Sequence, residues 1–271
     1  MVRFRQNPIL NLCVWLLAAF ALIWTGPLFV PAAGGTVTLV ALLWKGLAAS
    51  LALGASIFLL RRSGFPLLGL APRKRTVSLL LFGTVVGLSL VGLWIVLLSL
   101  LTPFHLAPGP ITMPELLCSA GIYLFGALLE ELAFRGHALI RLKQRYGTAA
   151  AILLVSFAFG LLHLPGMMGV NAVKIVALTG LSSVLFCLAF LLSGSLWAAV
   201  GLHAGMNFML HSLLGAGGGR GPSLFVPVYE RAAPVAYDAA FWSLMLIQSA
   251  FAIGFLLLWP RLPANLRPQA R

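Results

Sequence analysis

Charged side chains are scarce in this 271-residue chain: they make up 8% of it, and only five are acidic. Soluble domains carry roughly 25% charged residues, so a water-soluble globular fold is excluded. Apolar residues make up 61% of the sequence, and they are grouped in runs close to the ~20 residues that a helix needs to cross a bilayer. The composition therefore predicts a polytopic membrane protein.

Cysteine and the short catalytic motifs of soluble hydrolases are also scarce. The three cysteines, Cys13, Cys118 and Cys187, each lie alone in an apolar run, so we expect apolar packing from them and neither a disulfide framework nor a metal cluster. The chain has no Gly-x-Ser-x-Gly and no His-Glu-x-x-His sequence. These absences disfavour a serine nucleophile and a zinc site built on a single helix.

Thirteen of the 18 basic residues fall in short clusters between the apolar runs, and the 18 form no continuous stripe, so nucleic-acid binding is not expected. Because backbone polar groups must be satisfied internally in lipid, the runs are predicted to be helices. We predict an all-α bundle of eight spans, over residues 9–25, 36–60, 77–101, 115–140, 148–164, 171–193, 195–214 and 239–259. The positive-inside rule then places both termini in the cytoplasm.

Three parts are predicted along the chain: three helices in 1–114, a four-helix core in 115–214, and a Gly-rich outer loop with the last helix in 215–271. The first apolar run also resembles a signal peptide, but its length favours a retained span. Lys45 and Lys174 are expected to extend to the outer interface. Richness in Leu, Ala, Gly and Arg fits a GC-rich bacterium, which predicts a location in a bacterial cytoplasmic membrane.

Two of the five acidic residues, Glu130 and Glu131, are adjacent inside the fourth predicted span. Ionisable groups at membrane depth are costly and indicate a functional site. Arg135 follows Glu131 by four residues and shares its helix face, so these two are expected to pair. Glu130 projects ~100° away around the helix and is the candidate general base. The alternative is a salt bridge that only locks the helix bundle.

Two of the five histidines lie in other spans, where loop chemistry is not expected. His203 has Asn207 four residues later on one helix face, among small residues that allow close helix approach. His163 lies near the outer end of its span, so that helix must be shifted, tilted or broken for one site to form. The alternatives are interhelical hydrogen bonding for His203 and Asn207, and a core histidine bonded to a carbonyl for His163.

The remaining histidines, His105, His137 and His211, are treated as background, although His211 is eight residues after His203 and can share its face. A carboxylate beside a histidine can activate water, and a His/Asn pair can donate hydrogen bonds to a developing oxyanion. Together these groups predict amide hydrolysis by water.

The sequence resembles the CPBP family, the CAAX protease and bacteriocin-processing membrane proteases. The motifs that carry the resemblance are Glu130-Glu131-x-x-x-Arg135, Phe159-x-x-x-His163 and His203-x-x-x-Asn207, within residues 115–214. The resemblance implies an intramembrane endopeptidase with its cavity open to the cytosol. It implies Glu130 as the base on water, helped by His163, with Glu131 and Arg135 ordering the site and His203 and Asn207 forming the oxyanion hole.

The expected reaction requires no cofactor, and zinc or another divalent metal bound by Glu130, His163 and His203 is the alternative. The expected partners are membrane lipids and a peptide or protein substrate, which lipidation would help to anchor. Two other functions are kept open. One is a catalytically silent membrane scaffold or immunity protein, and the other is a proton-coupled transporter that uses the acids and histidines as a relay.

Overall fold

The computed structural model describes residues 43–44, 46–52, 54, 69–70, 75–164, 169–216, 222–230 and 233–258. Within these ranges the helices are α1 (Thr76–Leu101), α2 (Met113–Tyr146), α3 (Thr148–Leu162), α4 (Gly169–Ser193), α5 (Leu196–Asn207, continued by Phe208–Leu213) and α6 (Ala233–Leu258). Two strands, β1 (Phe104–Pro108) and β2 (Phe225–Tyr229), complete the list. The described parts of 43–54 are also helical.

Four of these helices contain segments long and apolar enough to cross a membrane: Thr76–Leu101, Met113–Tyr146, Gly169–Ser193 and Tyr237–Leu257. They correspond to four of the eight predicted spans. Helix α3 is apolar but has only 15 residues, and α5 is also short. The first predicted span lies outside the described residues and the second lies partly outside them. The number of spans and the side of the termini stay predictions.

The described residues are mostly helical, as predicted, and one small antiparallel sheet that was not predicted accompanies the helices. Strands β1 and β2 pair from Phe104 opposite Tyr229 to Pro108 opposite Phe225, in segments that were predicted to be loops. The rings of Phe104 and Tyr229 pack with their centroids 5.6 Å apart. Each strand contains a proline, which a two-stranded sheet tolerates because each strand keeps one edge that needs no partner. Short, proline-containing strands give little periodic signal in a sequence.

Helix α2 carries the acid pair and begins with a capping box. The carboxylate of Glu115 accepts hydrogen bonds from the backbone N–H and the hydroxyl of Thr112, at 2.8 Å each, and Pro114 occupies the first turn. Pro114 and Glu115 thus lie in the first turn of the helix. Helix α2 becomes π-helical over Leu132–Leu139, and all eight residues of that segment are buried.

Helices α1 and α5 pack backbone against backbone through glycines from both sides. A Cβ atom at Gly83 or Gly87 of α1 would overlap a carbonyl oxygen of α5, and one at Gly201 or Gly205 of α5 would overlap a carbonyl oxygen of α1. Small residues spaced by four create such close approaches between membrane helices. The close approach predicted around His203 is confirmed, and α1 is the helix that makes it.

Helix α6 is attached to the bundle by polar contacts at three positions. The indole N–H of Trp94 in α1 donates to Ser243 Oγ at 3.0 Å, and Gln248 donates to Ser182 Oγ of α4 at 2.8 Å. Lys174 of α4 pairs with Asp238 of α6. The expected extension of Lys174 towards the interface therefore has a partner that was not predicted.

We expect Gly201→Ala to lower the free energy of unfolding by about 1–3 kcal/mol or more, because the added methyl must push two helix backbones apart. The matched control is Gly92→Ala in α1, where the nearest atom to a new Cβ is Met209 Cε at 3.8 Å, an ordinary contact. Thermal unfolding of both variants in detergent micelles tests this. Equal midpoints for the two variants would contradict the packing.

Candidate active site

The centre of the site is a buried ion pair on α2. Arg135 Nη1 donates to Glu131 Oε1 at 3.2 Å, and both side chains are 0% exposed. The pairing predicted from the four-residue spacing is therefore present. A buried charge is tolerated only when an opposite charge and hydrogen bonds compensate for lost hydration, and Arg135 and Glu131 compensate each other in this way.

Helix α4 and three aromatic rings hold the guanidinium of Arg135 from its other sides. Arg135 Nη2 donates to Ser183 Oγ at 2.5 Å and to the Ser183 carbonyl oxygen at 3.1 Å. The guanidinium carbon lies 4.7 Å from the ring centroid of Phe159 and 5.1 Å from that of Phe186, with Phe134 further away at 5.8 Å. Cation–π contacts of this kind favour a desolvated arginine.

His203 of α5 lies between the two acids. Its Nδ1 is 2.9 Å from Glu131 Oε1, and its Nε2 is 3.8 Å from Glu130 Oε2. Because an ionised carboxylate only accepts hydrogen bonds, the proton of this contact is on Nδ1 of His203. The ring also stacks on Phe186, with centroids 4.5 Å apart and planes inclined by 13°. Position, tautomer and ring plane are thus fixed together.

Glu130 is the reachable member of the acid pair, with a side chain that is 15% exposed. Among the described residues its Oε2 has no hydrogen-bond donor from the protein. The two adjacent acids diverge around α2, yet both reach His203 because each approaches a different ring nitrogen. One acid therefore anchors the histidine, and the other faces its second ring nitrogen at 3.8 Å through a buried oxygen.

His163 follows the last residue of α3 and is half-buried. Its Nδ1 is 2.9 Å from the carbonyl oxygen of Phe159, which as an acceptor places the proton on Nδ1. This contact is the one expected of a core histidine bonded to a carbonyl, which was the alternative for His163. The Phe159 ring lies between the two histidines, with its centroid 4.9 Å from that of His163 and 5.9 Å from that of His203. Assistance from His163 to Glu130 stays a prediction.

Asn207 is half-buried and is the last residue of the α-helical part of α5, before the π-helical segment Phe208–Leu213. In the described part of the chain no hydrogen bond joins it to the acid pair. Helix α2 becomes π-helical directly after Glu131, with Arg135 inside the π-helical segment, and α5 becomes π-helical directly after Asn207. Such π segments are frequent at functional sites.

Of the remaining histidines, His137 is buried, His211 is partly buried and His105 is exposed. His137 is 2% exposed and lies within the π-helical segment of α2. His211 lies in the π-helical segment of α5, and its ring stacks on that of Tyr123 of α2 at 5.7 Å and 17°. His105 is exposed in β1. Treating His211 as background was therefore incomplete, because it lies between the same two helices as the site.

A known protein family matches the part of the chain that contains these helices. The family model described as type II CAAX prenyl endopeptidase Rce1-like matches residues 112–209. The resemblance to the CPBP family is confirmed. No curated protein matches the chain. The Rce1-like match supports a protease, and with the four apolar helices it supports an integral membrane protein.

The Rce1-like match runs from the cap of α2 to the second residue of the π-helical segment in α5, so it includes all six predicted site residues: Glu130, Glu131, Arg135, His163, His203 and Asn207. The structure brings four of them into direct contact: Glu130, Glu131, Arg135 and His203.

Ser183 and Phe186 were not singled out in the sequence, although both contact charged or titratable groups of the site. The available signal was the pair Ser182-Ser183 inside an apolar run, where hydroxyls are expected to form hydrogen bonds between helices. Cys187, predicted to pack apolar groups, is buried in the core as expected.

The zinc alternative requires Glu130, His163 and His203 to converge. Across the described ranges, no three His, Cys, Asp or Glu side chains are arranged to hold a metal ion. Nδ1 of each histidine is also engaged, in one case by a main-chain carbonyl and in the other by Glu131. In this arrangement the three side chains do not fit a metal centre, and the proposed hydrolysis therefore involves no metal ion. The metal-free reaction itself stays a prediction.

We expect Arg135→Ala to destabilise the protein by about 3–5 kcal/mol, because it leaves a buried carboxylate unpaired. Glu130→Gln is expected to change stability little. Arg145→Ala removes the same charge from an exposed position on α2 and serves as the matched control, with an expected effect within about 0.5 kcal/mol. Thermal midpoints in detergent compare the three variants. An Arg135→Ala midpoint equal to that of wild type would contradict the ordering role.

Proposed function

We propose that the protein is an intramembrane endopeptidase that uses water activated by Glu130. Its substrate would be a membrane-associated or CAAX-like protein or peptide. The observation that carries this proposal is the pair Glu130 Oε2 and His203 Nε2, which face each other at 3.8 Å. Glu130 lies midway between Met113 and Tyr146 along the spanning helix α2, so the reaction would take place within the depth of the bilayer.

In the proposed first step Glu130 acts as general base. Its carboxylate removes a proton from water while the water oxygen attacks the scissile carbonyl carbon, and a tetrahedral oxyanion forms. Collapse of this intermediate breaks the C–N bond, and protonated Glu130 returns its proton to the leaving amine. Glu130 begins and ends the cycle ionised. His163 would help to orient the water.

Stabilisation of the oxyanion is assigned to His203 and Asn207. His203 Nδ1–H remains bonded to Glu131, so donation from Nε2 requires the imidazolium form of the ring. Carboxylate oxygens of Glu131 and Glu130 lie 2.9 and 3.8 Å from its Nδ1 and Nε2. Asn207 would supply a second donor from one helical turn away. Donors held in place before reaction are the main electrostatic contribution to acyl transfer.

Glu131, Arg135 and Ser183 have a positioning role in this proposal. They do not reach the reacting atoms, since they are fully buried, and they act through His203. We further propose the bacterial cytoplasmic membrane as the location and lipidated or membrane-embedded peptides as substrates. These proposals rest on the composition of the chain and on the Rce1-like match.

We expect Glu130→Gln to abolish hydrolysis, with a loss of about 10²–10⁴-fold in rate, because the amide has the shape of the acid but cannot accept the proton. Since the substrate is not identified, protein termini in membranes of cells expressing wild type or Glu130→Gln are compared by mass spectrometry. Glu230→Gln removes an exposed carboxylate after β2 and is the control. New termini are expected with wild type and with Glu230→Gln only.

Matching terminal profiles for wild type and Glu130→Gln, at verified equal expression, would contradict the protease. That result would favour a scaffold, and proton-dependent flux in proteoliposomes would then favour a transporter.

We expect Asn207→Ala to lower kcat by about 10²–10³-fold, in the range seen when one oxyanion donor is removed, with a small change in KM. The measurement is steady-state hydrolysis of a peptide spanning a cleavage site found in the membranes. A variant that keeps the wild-type kcat, or one whose loss lies wholly in KM, would contradict the oxyanion role of Asn207.

A further inference from the structure

The two-stranded sheet lies at the end of the bundle where α1 ends and where α2 and α6 begin. Phe104 of β1 follows the last residue of α1 by three positions, which even an extended chain spans in only ~11 Å. Pro108 precedes Met113 of α2 by five positions, and Tyr229 of β2 precedes the first residue of α6 by four. All three helices contain spanning segments. The sheet is therefore close to the level at which they leave the bilayer.

Aromatic and charged side chains of α6 mark that level independently. The spanning segment of α6 begins at Tyr237, and both Tyr237 and Trp242 are exposed. Tyrosine and tryptophan concentrate at the boundary between lipid and water, because each has an apolar ring and a polar tip. Asp238 pairs with Lys174 of α4 at the same end. Tyr237 follows the end of β2 by eight residues, so this boundary passes close to the sheet.

The exposed side chains of the sheet are apolar. No Asp, Glu, Lys or Arg occurs in residues 103–112 or in residues 222–229. The exposed fraction is 41% for Val228, 39% for Leu106 and 38% for each of Phe225 and Val226. An uncharged apolar ribbon in water would be an aggregation site. Its surface instead continues the exposed apolar side chains at the adjoining ends of α1 and α2, which include Leu100, Leu101, Met113 and Leu117.

The backbone of the sheet limits how deeply it can lie in lipid. Among the described residues each strand pairs with one other strand, so each also has an edge whose polar groups are not used by the sheet. Open sheet edges do not occur in the hydrocarbon region. Pro108 and Pro227 have no N–H to leave unpaired, but the other edge groups need water. The sheet thus fits the headgroup region, where water reaches the backbone and apolar side chains reach the acyl chains.

The sheet is attached to the helix that carries His203. The N–H of Leu224, directly before β2, donates to the carbonyl oxygen of Ser212 at 2.8 Å, and the N–H of Gly109, directly after β1, donates to the Leu224 carbonyl at 2.8 Å. Ser212 is buried in the π-helical end of α5. The depth of the sheet in the membrane therefore constrains the depth of α5.

We propose that the β1–β2 sheet is an interfacial membrane anchor. Its exposed side chains, Leu106, Phe225, Val226 and Val228, insert among the lipid headgroups of the leaflet at this end of the bundle. The partner is the lipid surface itself, and the anchor holds the end of α5 at a fixed depth. This inference does not depend on the proposed peptidase activity.

The test measures the membrane depth of spin labels on the full-length protein in liposomes of phosphatidylcholine and phosphatidylglycerol. Single cysteines for labelling are introduced by Val226→Cys and Val228→Cys. In the background Cys13 and Cys118 are replaced by serine, and Cys187 is fully buried. Labelling of the background alone is measured and subtracted. Power saturation in electron paramagnetic resonance gives each label's collision rate with oxygen, which concentrates in lipid, and with a soluble nickel chelate, which lipid excludes.

Two control labels calibrate the scale. Val85→Cys lies near the middle of α1 and is exposed, so it reports the hydrocarbon region. Gln144→Cys lies at the exposed end of α2, among basic side chains, and reports the aqueous side. If either valine variant has a lowered thermal midpoint, His105→Cys is labelled in its place, because His105 is exposed and lies opposite Val228 in the sheet.

We expect the labels on the sheet to fall between the two controls. Their collision rate with the nickel chelate should be several times lower than that of the Gln144→Cys label, and their collision rate with oxygen should be higher. Values equal to those of the Gln144→Cys label would place the sheet in water and overturn the proposal. Low collision rates with both reagents would show that protein covers the sheet, which also overturns it. Dipolar broadening between labels would then identify that protein as a second copy of the chain.

Discussion

The buried ion pair of Glu131 and Arg135 is the interaction on which the site depends. In a low-dielectric interior neither charge is tolerated alone. Arg135 is compensated by Glu131, by two oxygens of Ser183 and by aromatic rings on α3 and α4. Glu131 then accepts a second hydrogen bond from His203. Helices α2, α3, α4 and α5 are thus joined through one guanidinium and one carboxylate, and His203 is held towards Glu130.

The close packing of α1 against α5 supports this arrangement from the opposite side. The glycine pairs Gly83/Gly87 and Gly201/Gly205 let the two backbones touch, and Gly201 and Gly205 flank His203 on its own helix. Because this packing joins main chains, it leaves α5 little freedom to shift. The histidine is therefore positioned twice, by its helix and by its hydrogen bond. Such double support provides the preorganised donors that the proposed reaction requires.

Much of this site was predictable from the sequence, because ionisable residues are rare in membrane-spanning helices and indicate a function where they occur. Five acids in the whole chain draw attention to Glu130 and Glu131, and four-residue spacing predicts the partner of Glu131. Features set by tertiary contacts were not predictable: helical periodicity does not show where an α-helix becomes π-helical, nor that Ser183 faces Arg135. The strands β1 and β2 were not predicted, because their sequences resemble loops and their pairing joins segments more than 100 residues apart.

The most direct test of the positioned histidine is nitrogen-15 NMR of histidine-labelled protein in nanodiscs, with His203 assigned from the spectrum of His203→Gln. We expect Nδ1 of His203 to carry a proton, because it donates to Glu131 Oε1 at 2.9 Å. A neutral His203 ring protonated on Nε2, with Nδ1 bare, would contradict this geometry and the chemistry proposed from it.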